Sequence, residues 1–253
     1  MKKGVPRIYY LIPFLYIALS SAFLYLHFTR TESHIEQIGY LTLSVESKHG
    51  SNRDRTEIQR ISVYMNGFAV NIGNDTPVWL YDSTIPFKAE IVGYRTFPDG
   101  LEITFTGNLQ LRFLSGSNGS PQFSIIPVLT GTENGFSSAR IPIEYPNDTV
   151  VSVMENLPVT AFAVPGSTGA VTFFLTLPKQ GRYDKTGNDI IIPGQIPKGF
   201  EITYEKAPEG ITDPFVYWYS HARKTLSGRD YETAVTGFTR KAVAGWSDER
   251  FRS

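Results

Sequence analysis

The chain has no cysteine in 253 residues, which excludes disulfides, thiolate metal sites and thiol nucleophiles. A domain built from it outside the cytoplasm must hold together by packing and strand pairing, which a chain of this length can supply. Histidine is scarce. His27, His34, His49 and His221 are the four in the chain, and neither an HExxH motif nor a histidine pair at metal-ligand spacing occurs among them. A GxSxG elbow and a glycine-rich phosphate cradle are missing as well, so the common signatures of metal hydrolases, serine hydrolases and nucleotide enzymes are absent. Nor is there an excess of charge. Lys plus Arg and Asp plus Glu each total 24, for a formal net charge of zero, which gives no field to recruit nucleic acid.

What the chain does have is an uncharged run from Ile8 to Phe28, preceded by Lys2, Lys3 and Arg7. At ~1.5 Å per residue such a helix crosses a bilayer. Ala18-Leu19-Ser20 resembles a signal-peptide cleavage site, but Phe23, Leu24, Tyr25, Leu26 and Phe28 carry the apolar character past it, which favours an uncleaved anchor. A core helix of a soluble protein is the third alternative. The basic residues before the run outnumber Arg30 after it, so the amino end is expected in the cytoplasm. This divides the chain into a cytoplasmic end (1–7), a signal-anchor helix in membrane lipid (8–28), a stalk (29–38), an extracytoplasmic β domain (39–207) and a helical tail (212–246). The expected location is the cell membrane, single-pass, with the bulk in a bacterial periplasm. Asn74-Asp75-Thr76, Asn118-Gly119-Ser120 and Asn147-Asp148-Thr149 are formal glycosylation acceptors that matter only in a eukaryotic secretory pathway.

Beyond the stalk the hydrophobic period is two. Leu41, Leu43 and Val45 alternate with polar residues, as do Leu101, Ile103 and Phe105, and then Leu109, Leu111 and Phe113. Asn66-Gly67 suits a tight hairpin between strands at 58–65 and 68–72, and Asp99-Gly100 opens another. Further strands are expected at 123–129, 140–145, 150–154, 159–164, 171–177 and 200–204. With no helical crossovers between them, these strands indicate a mainly β fold, an antiparallel sandwich or jelly-roll-like domain. Pro127 and Pro142 each lack a ladder donor, which assigns their strands to an edge or a bulge. Exposed edges of this kind can recruit a partner strand. Residues 179–197 read as an irregular loop with one apolar run.

After Pro208 the period lengthens. Thr212 or Asp213 can cap a helix with Pro214 in its first turn, and Phe215, Trp218, Tyr219, Ala222 and Leu226 form a stripe at spacings of three and four. A second stripe follows Gly228 through Tyr231, Ala234, Val235, Phe238 and Ala242, giving a short C-terminal αα-hairpin. The stretch GRDYETAVTGFTRKAV resembles the second half of a tetratricopeptide repeat, with Trp218, Ala222, Tyr231, Ala234 and Phe238 at the matching large and small positions. That family binds proteins with stacked repeats. The resemblance covers about thirty residues in one copy, so it implies a hairpin that packs back on its own β domain and carries over no ligand-contacting residue.

Two aromatic clusters stand out, Trp79, Tyr81 and Phe87 among prolines, and Tyr217, Trp218 and Tyr219 in the tail. Three consecutive aromatics cannot share one helix face, so Tyr217, Trp218 and Tyr219 are candidates for a partner interface or for covering the β domain. Asp82, Asp99, Glu102, Asp184 and Asp189 are the acids that a cross-strand carboxylate pair would draw on. The functional expectation is a non-enzymatic envelope accessory or scaffold protein that contacts another envelope protein, with no cofactor and no nucleic acid. One alternative is a carrier of lipid or another hydrophobic ligand, similar in architecture to the bitopic jelly-roll components of lipopolysaccharide transport. The other is an envelope hydrolase using paired carboxylates.

Overall fold

The computed structural model describes residues 19–20, 31–49, 56–65, 67–82, 85–116, 121–129, 136–153, 159–166, 170–178, 180–208 and 217–218. Strands arranged in two antiparallel sheets make up 69 % of these residues, so the fold is mainly β and consistent with a sandwich. The first sheet comprises β1 (Thr31–Ile38), β2 (Leu41–His49), β3 (Thr56–Met65), β4 (Phe68–Gly73), β5 (Val78–Asp82), β6 (Ile85–Ala89), β11 (Ser138–Glu144), β15 (Arg182–Asp184) and β16 (Asp189–Pro193). The second comprises β7 (Ile91–Phe97), β8 (Gly100–Phe105), β9 (Leu109–Ser115), β10 (Gln122–Leu129), β12 (Val150–Val153), β13 (Val159–Val164), β14 (Val171–Thr176) and β17 (Ile202–Lys206). Sheet one runs in the order β1-β2-β3-β4-β11-β16-β15, with β5 and β6 branching from β11. Sheet two runs β12-β13-β14-β17-β10-β9-β8-β7.

The alternating rows become the core. Leu41, Leu43, Ile61, Val63, Phe68 and Val70 from sheet one meet Leu101, Ile103, Leu111, Phe113, Phe123, Phe162 and Phe173 from sheet two, all at 0–1 % exposure. Phe68 is the centre of the contact. Its ring stacks on Tyr204 at 3.9 Å between centroids and lies 5.7 Å from Phe162 and 5.9 Å from Phe123, while Tyr204 stacks on Phe173 at 5.0 Å. Rings at these separations fill the space between the sheets at this point. A polar contact also ties the sheets together: the Tyr40 N–H after Gly39, whose φ is +58°, donates to Ser115 Oγ at 2.8 Å.

Several expectations need correction. The stalk is largely strand β1, paired with β2 along its whole length. It escapes a period-two reading because residues 31–35 are exposed whichever way they point, so no face selects for apolar side chains. Residues 179–197 contain the β15–β16 hairpin, where Ile190 and Ile192 face the core and Ile191 lies across the strands from both Arg140 and Arg182. Asp99-Gly100 does open β8, with Phe97 paired to Gly100 and Pro98 and Asp99 forming the turn. The Asn66-Gly67 hairpin closes with Met65 opposite Phe68 and Gly67 at φ +87°, although Asn66 itself lies outside the described residues.

Neither Pro127 nor Pro142 lies on an edge strand. β10 sits between β9 and β17, but its pairing with β17 stops at Ile125 opposite Ile202. The Lys206 N–H donates to the Pro121 carbonyl, so alternate residues 123, 125 and 127 face β17, and the missing donor of Pro127 falls just past the end of that ladder. In β11, Ile143 donates to Asn188 on the β16 side, so Pro142 faces the other way. There β5 pairs residues 138–140 and β4 begins only at Ile143, and the proline occupies the seam between them.

The expected anchor at 8–28 lies outside the described residues except for Leu19 and Ser20, which are helical, and the hairpin at 212–246 lies outside them except for Tyr217 and Trp218, also helical. Among the described residues no helix is long and apolar enough to cross a membrane.

Candidate functional site

Val78 and Leu80 are fully buried, so alternation turns Trp79 and Tyr81 to the outer face of sheet one. Register then assembles their neighbours. Trp79 lies opposite Lys88 on β6 and Arg140 on β11, and Tyr81 lies opposite Pro86 and Ser138. Arg140 lies opposite Ile191, and Ile191 opposite Arg182. The result is a stripe of aromatic, apolar and ionic side chains across β6, β5, β11, β16 and β15. Trp79 is 38 % exposed. Ile85, at the start of β6, is 74 % exposed but alternates with Pro86 and Lys88, so it lies on the other face of the strand and outside the stripe. Phe87, the third aromatic of the sequence cluster, points inward and packs against the core.

Arg140 organises the polar half of the stripe. Its guanidinium carbon lies 5.5 Å from the centre of the Tyr81 ring, a cation–π distance, and its Nη1 reaches Asp184 Oδ2 at 3.0 Å and Asp189 Oδ2 at 3.4 Å. Asp184 and Asp189 lie directly across from each other at the closing pair of the β15–β16 hairpin. Their environments differ. The Thr186 N–H donates to Asp184 at 3.0 Å and, with Arg140, holds its carboxyl below the usual range, whereas burial pushes Asp189 up despite Arg140. On the inner side of the same hairpin, Tyr145 donates to Asn188 Oδ1 at 2.8 Å and Tyr183 to the same oxygen at 3.2 Å, with the two hydroxyls 3.0 Å apart. Burial raises the Tyr183 hydroxyl well above its ordinary value, so it stays a neutral donor.

Sheet two has its own ionic group. Glu102, 2 % exposed, lies between Arg95 on β7 and Arg112 on β9, each 2.8 Å away, and Arg95 also sits 5.2 Å over the Phe97 ring. Further along this sheet, the Trp218 indole N–H donates to Thr176 Oγ1 at 2.9 Å, and the Tyr217 ring stacks on Phe174 at 5.8 Å. Phe174 and Thr176 point away from the core side chains Phe173 and Leu175, so Tyr217 and Trp218 cover the outer face of β14. Trp218 is only 2 % exposed, its indole packed on the β domain. Tyr219 lies outside the described residues.

Of the acids considered from sequence, Asp184 and Asp189 come together and Glu102 joins two arginines, whereas Asp82 and Asp99 are exposed residues at or beside turns. His34 lies on exposed β1, its Nε2 3.9 Å from Glu36. Among the described residues no three His, Cys, Asp or Glu side chains are grouped to hold a metal ion. Sequence reading overlooked Arg140. Its partners flank Lys185-Thr186-Gly187-Asn188, and Asn188 adopts φ +54°, so the Gly-Asn pair was the available turn signal for the hairpin that brings the two aspartates to it. No protein-family model, curated protein or solved structure matches the chain.

Proposed function

We propose that the protein is a single-pass envelope accessory or scaffold protein, held in the membrane by residues 8–28 with its bulk in the periplasm, which contacts an envelope protein through its β domain. The outer stripe on sheet one is the surface for that contact, and the observation that carries the reading is its content. Trp79, Tyr81 and Arg140 are the residue types that dominate interface energetics, held on the paired strands β5 and β11 beside exposed Lys88 of β6. In this reading Trp218 fastens the 212–246 hairpin to sheet two, and that hairpin offers a second contact through its remaining surface. No chemistry of the protein's own is required.

The close ring packing around Phe68 argues against the carrier alternative, which needs sheets splayed around an apolar groove. The hydrolase alternative draws on the Asp184–Asp189 pair with its opposed pKa directions, but Arg140 bonds to both carboxylates and occupies the position a substrate would need. The test is to place a photocrosslinking residue at Trp79 or Lys88 in the full-length chain, irradiate native membranes, and identify attached proteins and retained lipid by mass spectrometry. A reproducible protein neighbour at these positions, absent with the crosslinker at Val92 on β7, supports the scaffold reading. Stoichiometric lipid without such a neighbour replaces it with the carrier.

A further inference from the structure

Among the described residues the two sheets end in five open strands, and four of them carry recognisable protection against pairing. β1 bears Glu32, His34 and Glu36, β6 has Pro86 and Lys88, β15 is three residues long with Arg182 and Asp184, and β7 has Arg95 and a register shift between Ile91 and Gly93. β12 has none of these apart from its shortness. Its sequence is Val-Val-Ser-Val, its four pairs with β13 run without a register shift, and among the described residues it pairs with no other strand. Its outer face is open and its inner face is only partly covered: Val150 is 64 % exposed, while on the other side Val151 packs against the core and Val153 stays 43 % exposed.

We propose that β12 pairs antiparallel with β12 of a second copy of this chain, joining the two eight-stranded sheets edge to edge. A strand added here must be uncharged and must tolerate apolar neighbours on both faces, and Val-Val-Ser-Val meets both conditions against itself. The formal net charge of zero adds no overall repulsion between copies. Symmetry sharpens the prediction. A two-fold axis perpendicular to a continuous sheet carries the outer face onto the outer face, and directly opposed residues share a face. Residues of equal parity must therefore face each other, and the axis passes midway between the two copies of one residue, which is paired with its own counterpart. With the pairing centred on β12, that residue is Val151 or Ser152. Four pairs of residues bury far less than the roughly 1,000 Å² of a stable interface, so the association is a weak, concentration-dependent equilibrium. It is independent of any partner at the Trp79 stripe.

The absence of cysteine makes the test clean. Facing residues in an antiparallel pair have Cα atoms about 4.5–5.5 Å apart, within disulfide range. Full-length Val151→Cys and Ser152→Cys variants in detergent are oxidised at high protein concentration, with Val92→Cys on β7 as the exposed control. The expected result is covalent dimer from one of the two β12 variants and not from the control. In parallel, sedimentation of the unmodified chain should show a concentration-dependent dimer that Ser152→Lys abolishes. Ser152 is exposed, so this variant is expected to keep its sheet signal in circular dichroism. Monomer throughout with no disulfide at either position, equal crosslinking at Val92, or capture of a different protein by the β12 cysteines in native membranes would each overturn the proposal.

Discussion

The two ionic clusters are mirror images in charge. On sheet two a single acid, Glu102, sits between two bases on adjoining strands, and on sheet one a single base, Arg140, sits between two acids. The sign of the central group decides the behaviour of each. Glu102 is buried while Arg95 and Arg112 remain 63 % and 39 % exposed, so the acid depends on its neighbours far more than they depend on it. In the other cluster all three side chains are partly exposed, and the unequal surroundings of Asp184 and Asp189 leave a proton equilibrium for the pair to respond to. The first cluster is thus a fixed structural tie, and the second is adjustable.

The strongest way to break this comparison is to remove both arginines around Glu102. Arg95→Ala with Arg112→Ala strands a buried carboxylate and should cost about 3–5 kcal/mol in urea denaturation, well beyond the sum of the single variants. A simple sum would mean that Glu102 is not the dependent partner. Beneath the second cluster, Tyr183→Phe removes one of two hydroxyls on Asn188 and should cost about 1 kcal/mol, read as a lower midpoint at unchanged slope.

The pH response is a finer probe, since partial exposure screens it. The folded pKa of Asp189 is raised, so the folded chain takes up its proton before the unfolded chain does. Stability from this residue therefore falls as pH rises through that window, and Asp189→Asn should remove the fall. Asp184 has the opposite sign. Its contribution is complete above the unfolded value and is lost as pH falls through the lowered folded value, so Asp184→Asn should flatten the acid limb of the same denaturation series. The smallest change is expected at Tyr204, whose hydroxyl is buried among rings and has no hydrogen-bond partner among the described residues. Tyr204→Phe should be neutral or should stabilise by up to about 1 kcal/mol, whereas a clear loss would show that the hydroxyl has a partner, such as a buried water.

Strands with one wet and one dry face were legible in the sequence. β2 and β9 follow from the rows at 41–45 and 109–113, because period-two burial leaves its mark on composition. The overlooked strands break that pattern for identifiable reasons. β1 is largely exposed on both sides, β7 is interrupted at Gly93, β5 and β6 are short and flanked by prolines, and Ile190, Ile191 and Ile192 are buried regardless of face. The candidate site was legible only in pieces. The aromatic cluster and the two aspartates were visible as residue types, but the register that places β5 and β16 on either side of Arg140 belongs to pairings far apart in the chain.

The seam in β11 has a consequence for amide exchange. Two different strands share one side of β11, and a break in cover would ordinarily appear as a fast-exchanging N–H at the join. Here the residue facing the join is Pro142, which has no amide proton, while the N–H of Ile143 is bonded to the β16 side. Deuterium uptake should therefore report β11 as one continuously protected strand, and the handover from β5 to β4 would leave no trace in the spectrum.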